Sequence, residues 1–146
     1  MISAGQAALV TASLERVGEA CGDPAPLVYA RLFQRWPELE PMFMLDRDGA
    51  VRGEMLALAL RSLLDVAEGA GAGAGMIRAE LVNHSGYDVP PAVFARFYEV
   101  VAEVVAERLG TDWTAETAQA WRALLAAVSE LITAQAAESG LSLELA

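Results

Sequence analysis

Histidine and cysteine are almost missing from this chain: His84 is its only histidine and Cys21 its only cysteine. A single cysteine excludes an intrachain disulfide. A redox-active thiolate needs basic neighbours to lower its pKa, and none flanks Cys21 in sequence, so it reads as a packing residue in a corner between two helices. Long hydrophobic runs are missing too. None approaches the roughly 18 uninterrupted apolar residues of a membrane-spanning helix. The N-terminus has neither the basic start nor the compact apolar stretch of a signal peptide, so the expected location is cytoplasmic. Positive charge is scarce: Lys+Arg 10 against Asp+Glu 20, a formal net charge of -10. Such a surface repels phosphate, which makes nucleic acid and anionic membranes poor partners.

What is present suits a packed helical protein. A chain of 146 residues with 55% hydrophobic residues can bury a real core, and one domain over 1–146 is expected. No stretch shows convincing alternation with a period of two, so the expected fold class is all-α. Val10, Leu14, Val17 and Cys21 share a face of a first helix from about Ser3 to Ala20, which Gly22 ends. Asp23-Pro24 is a cap followed by a first-turn proline. Tyr29, Leu32, Phe33 and Trp36 then form an aromatic-rich face. Trp36-Pro37 marks a bend or a short new helix, Pro41 to Met44 is too short for a full one, and Asp46 to Gly49 is a turn or loop.

Helical spacing resumes from about Val51 to Ala67, with Leu56, Leu60 and Leu63 on one face. Glu68 to Gly75 alternates glycine with alanine. That pattern is costly in a helix and gives a strand little to pack, so a flexible connection is expected. A phosphate cradle would need the GxxxxGK[ST] pattern and a preceding strand, and neither is there. Pro90-Pro91 opens a helix to about Leu109, with Gly110 as its stop. Thr114 caps the last long helix, and Glu116 in its first turn suits the helix dipole. Gly140 ends that helix, and residues 141–146 are expected to be a frayed tail. The total is about six substantial helices plus short ones at Pro37 to Phe43 and Met76 to His84.

His84 lies near the end of the apolar segment Met76 to Val82, within Asn83-His84-Ser85-Gly86-Tyr87-Asp88-Val89-Pro90-Pro91. A neutral imidazole is a common ligand for transition metals, haem iron included. By itself a lone histidine is more often a surface or core residue.

Three ordered groups of residues resemble the globins, in particular single-domain bacterial haemoglobins and the haem domain of flavohaemoglobins, over about Pro26 to Ile132. The first is Tyr29 to Phe43, similar to the family's second helix, proline bend and corner phenylalanine. The second is His84 with Tyr87 and Val89, where the family has its proximal histidine and a loop valine. The third is Asp112-Trp113-Thr114 with Ala120-Trp121, at the start of the last helix. The resemblance implies a globin fold around non-covalent haem b, since no Cys-x-x-Cys-His attachment motif exists. It implies His84 as the iron ligand, Tyr29 on the distal side, and Phe43, Leu56, Val89, Phe94, Phe97 and Leu125 against the haem. Counting back from His84 without gaps puts Arg52 at the distal position and Leu56 one turn later, with Gly53 as the competing occupant. Met55 is a further candidate to coordinate the iron.

The sequence departs from that pattern in four places. Phe94 and Ala136 stand where the bacterial proteins have a tyrosine and a glutamate bonded to the proximal histidine. The loop valine follows Asp88 rather than glycine, and Leu125 replaces a common tyrosine. The first two changes imply a weaker iron–histidine bond, with Glu138 as a substitute acceptor if the last helix is shifted. The expected function is reversible binding of oxygen or another diatomic gas (nitric oxide, carbon monoxide), for storage, delivery or sensing. One alternative is nitric oxide dioxygenase activity. The chain holds no reductase domain, so that activity would need a separate reductase as partner. The other alternative is a haem-free, globin-like interaction module in which His84 is incidental.

Overall fold

A computed structural model describes residues 2–143. Six α-helices run as α1 Ala4–Cys21, α2 Ala25–Arg35, α3 Ala50–Ala67, α4 Gly71–Ser85, α5 Pro91–Leu109 and α6 Ala115–Glu138. Short 3₁₀ segments at Pro37–Phe43 and Gly110–Asp112 join α2 to α3 and α5 to α6. No strand occurs among the described residues, and the fold is all-α, as the periodicity implies. No helix among them is long and apolar enough to cross a membrane.

Local chemistry sets most boundaries. Ser3 and Gln6 form a reciprocal capping box at the start of α1, each side chain serving the other's backbone N–H. Thr114 accepts from the Thr117 N–H at the start of α6. Asp23 Oδ1 accepts from the Ala25 N–H at 2.9 Å, so α2 starts just after Pro24. The Asp46 carboxylate accepts from the N–H groups of both Val51 and Arg52 at 3.0 Å, satisfying orphan donors in the first turn of α3. The chain leaves α6 at Gly140, in the left-handed region at φ 69, and Leu141 then donates to the Ala136 carbonyl at 2.8 Å. Of the tail expected to fray, residues 144–146 lie outside the described part.

The glycine tract differs from its expectation. Gly69, at φ 79, makes the turn after α3, and everything from Gly71 onward belongs to α4. The reason is steric. Gly73 is buried against α3, where an added Cβ would lie 2.4 Å from the Asp65 Cβ and 2.7 Å from the Ser62 carbonyl oxygen. Glycine here lets two helix backbones approach more closely than any other residue would. Gly73, Ile77 and Leu81 form the buried stripe of α4, and α3 is its main neighbour.

The core lies where α5 and α6 meet α1, α2 and α3. Val10, Val28, Leu63, Val100, Trp121 and Leu124 are among its buried side chains. Trp121 donates through Nε1 to the Ser13 Oγ at 2.9 Å, which gives the buried indole N–H a partner and ties α6 to α1.

Candidate functional site

Between α2, the first 3₁₀ segment, α3, α4 and α5 lies a cavity of ≈ 340 Å³. Pockets for small molecules and cofactors run from roughly 300 to 1,000 Å³ and are mostly apolar. Leucine, methionine, valine and phenylalanine side chains make most of this wall, and Tyr29 and His84 are among its few polar groups.

His84 is held in the last turn of α4. Its Nδ1 lies 2.8 Å from the Glu80 carbonyl oxygen. A carbonyl can only accept, so Nδ1 is the donor, and Nε2 is the nitrogen that holds the lone pair whenever the imidazole is neutral. The Phe94 ring packs on the imidazole at a centroid distance of 5.2 Å and fixes its plane. A half-buried imidazole, oriented through Nδ1 with Nε2 left for a ligand on an apolar cavity, has the donor chemistry of a metal ligand.

Tyr29 reaches the same cavity from α2. It is 2 % exposed. Its ring sits among Phe43, Phe97 and Phe33, at centroid distances of 5.6 Å, 5.7 Å and 5.9 Å. Its hydroxyl is buried with no hydrogen-bond partner among the described residues. Burial pushes its ionisation far up, with the Arg52 charge partly offsetting this and the Asp46 charge adding to it. Tyr29 is therefore a neutral phenol with a proton to donate and no acceptor for it among the described residues.

The α3 wall is made by Val51, Met55, Leu58, Ala59 and Ser62, one continuous helical face. Arg52, Gly53 and Leu56 belong to neighbouring faces. Arg52 donates from Nε to the Asp46 carboxylate at 3.0 Å and from Nη2 to the Asp46 carbonyl at 2.7 Å. Leu56 is 2 % exposed within the core. Leu125, on α6, is a half-buried residue packed against that core. Phe43, Val89, Phe94 and Phe97 are on the cavity wall. Sequence reasoning missed Val51 as a wall residue and considered Met55 only as an iron ligand. Their spacing of four residues was visible, but the frame depended on counting through a glycine tract whose conformation was not legible.

On the His84 side, Ala136 is buried on α6 and Glu138 is exposed at that helix's end. Glu80 was missed as a neighbour of His84, although a spacing of four on one helix is a usable signal. Asp88 adopts φ 62, the left-handed conformation that glycine supplies without strain. Aspartate is among the few other residues that tolerate it. Asp88 thus takes the backbone conformation that a glycine before Val89 would adopt freely.

The globin family model matches residues 27–132, which is more than half of the chain. The chain belongs to the globin family. Comparison with characterised proteins and with solved structures gives no significant match. Membership implies haem-based binding of a diatomic gas in general terms. The globin's own residues fit a haem. The cavity is apolar and enters the accepted size range, His84 offers a free Nε2, and the Tyr29 hydroxyl is an orphaned buried donor on the same cavity.

Proposed function

We propose that this globin holds haem b without covalent attachment, with His84 Nε2 as the proximal ligand, and binds oxygen reversibly in the manner of the single-domain bacterial haemoglobins. The observation that carries this reading is the pairing, in one cavity, of the free imidazole nitrogen with the unpartnered Tyr29 hydroxyl. When bound, haem iron supplies a coordination position for a diatomic gas. The rest is the work of this chain. The Glu80 carbonyl holds His84 in the tautomer that can ligate. Phe94 fixes the plane of its ring. Phe43 and Phe97 exclude water and orient Tyr29, whose hydroxyl is free to donate to a polar ligand such as oxygen.

Within this reading Arg52 acts indirectly. It binds Asp46, and its charge reaches the Tyr29 hydroxyl through space. Val51 and Met55 take the cavity positions on α3. Val89 closes the loop side of the cavity.

Stopped-flow mixing of the reduced, haem-loaded protein tests the function. Reversible binding of oxygen, with slow release set by a hydrogen-bond donor, is expected. Rapid irreversible oxidation on the first exposure to oxygen would contradict it.

A further inference from the structure

We propose that Glu80 is a positioning residue for His84, its carboxylate charge beside Nδ1 strengthening the donation of Nε2 to iron. The inference rests on the reading of His84 as the proximal ligand.

Three contacts place the carboxylate. Glu80 Oε2 lies 3.5 Å from His84 Nδ1. The Nδ1 proton already points at the Glu80 backbone carbonyl, 2.8 Å away, so the N–H faces the main chain and side chain of the same residue. The Asn83 side-chain amide donates to the same Oε2 at 3.4 Å and restrains it. The charge of Glu80 also reaches the buried Tyr98 hydroxyl, which lines the same cavity.

The chemistry follows from the acceptor types. A backbone carbonyl is neutral, whereas a carboxylate beside the imidazole N–H stabilises positive charge on the ring. It makes the far nitrogen a stronger base toward a metal. Besides the Glu80 backbone carbonyl, no acceptor for this N–H is found among the described residues: Phe94 offers the ring an aromatic contact, and the Ala136 side chain has no polar atom. The i, i+4 spacing gives the arrangement a local origin. Two residues one turn apart on α4 carry the metal ligand and the group that tunes it, so no partner from a second helix is needed. The expectation that replacing the acceptors at positions 94 and 136 weakens the iron–histidine bond therefore changes: Glu80 compensates from within α4.

Resonance Raman spectra of the ferrous, ligand-free protein test this through the iron–histidine stretching band, read for the wild type, Glu80→Ala and Glu80→Gln at equal haem content. The expected result is a downshifted band in Glu80→Ala. Glu80→Gln should shift the band in the same direction, because the amide beside Nδ1 carries no charge. Both variants should raise the ferric/ferrous midpoint potential, since each removes a negative charge close to the ligand. Helical circular dichroism serves as the folding control, and the near-isosteric glutamine variant keeps the test decisive if alanine perturbs α4. An unshifted band and unchanged potential in Glu80→Gln and Glu80→Ala would overturn the role of Glu80 and leave His84 as the ligand. Absence of any iron–histidine band in the wild type would overturn the His84 assignment and the proposal with it.

Discussion

Arg52 and Asp46 are joined at three points: the Arg52 Nε and backbone N–H each lie 3.0 Å from the Asp46 carboxylate, and Arg52 Nη2 lies 2.7 Å from its carbonyl oxygen. The pair closes the loop before α3 and fixes the first turn of that helix. A guanidinium held this way is a structural cation, which is why the cavity takes Val51 and Met55 from α3 instead. Arg52→Leu is accordingly expected to lower stability toward urea while changing oxygen release little. A several-fold faster release in that variant would return Arg52 to the role of distal donor.

The same pair makes stability depend on acid. Desolvation works against the Asp46 charge, but the N–H groups of Val51 and Arg52 and the Arg52 guanidinium prevail and hold its carboxyl below the ordinary carboxylate range. A carboxyl with a depressed folded pKa adds stability above its unfolded value of about 3.9, and that stability is lost as pH falls through the lower folded value. The urea stability gap between wild type and Asp46→Asn should be full at neutral pH and shrink in acid below about pH 4. A gap that stays constant across that window would remove the charge from the explanation.

Two glycines in one tract should respond oppositely. Gly73→Ala forces a methyl group onto the α3 backbone and should cost roughly 1–3 kcal/mol, the usual range for overpacking. At Gly75 an added Cβ meets nothing within 4 Å. Gly75→Ala should stabilise by about 0.5–1 kcal/mol, because alanine loses less freedom in a helix. Thermal unfolding of the two variants checks both signs. Equal effects would mean that α4 does not approach α3 as closely as the structure has it.

That tract also shows where the sequence was legible. Proline at the start and glycine at the end framed α5 at Pro91 and Gly110, and Thr114 announced α6, because these signals act locally. The start of α4 was hidden, because alternating glycine has no intrinsic helical preference. The helix there depends on Gly73 fitting α3, a contact between separate elements. Counting back from His84 without gaps ignored the short loop at Asp46 to Ala50, so Arg52 and Leu56 were expected over the site, and the α3 residues on the cavity wall are Val51 and Met55. His84, Tyr29 and Phe43 do line the cavity, because rare or aromatic residues at helical spacing survive such slips in the count. Glu80 was hidden by its ordinariness, a glutamate on a surface turn whose meaning comes only from the imidazole one turn later.

The Tyr29 hydroxyl makes no hydrogen bond among the described residues, so removing it loses no internal hydrogen bond there. Tyr29→Phe should leave the thermal stability of the haem-free protein unchanged or slightly higher. In the haem-loaded protein the same change should speed oxygen release by at least several-fold, because a hydrogen bond to a strongly polar group contributes roughly 1.5–3 kcal/mol. At about 1.4 kcal/mol per decade that is roughly tenfold to hundredfold. Carbon monoxide is less polar when bound, and its release should hardly change. Unaltered oxygen release would mean that another group, or none, donates to the ligand.

Whether His84 holds a haem in the apolar cavity is read from the absorption spectrum of protein purified with ample haem. Wild type should take up haem in stoichiometric amount and show the Soret and visible bands of a histidine-ligated haem b. His84→Ala should retain far less haem and lose the ferrous five-coordinate signature. A colourless wild type, or a His84→Ala variant with wild-type haem content and spectrum, would contradict the account.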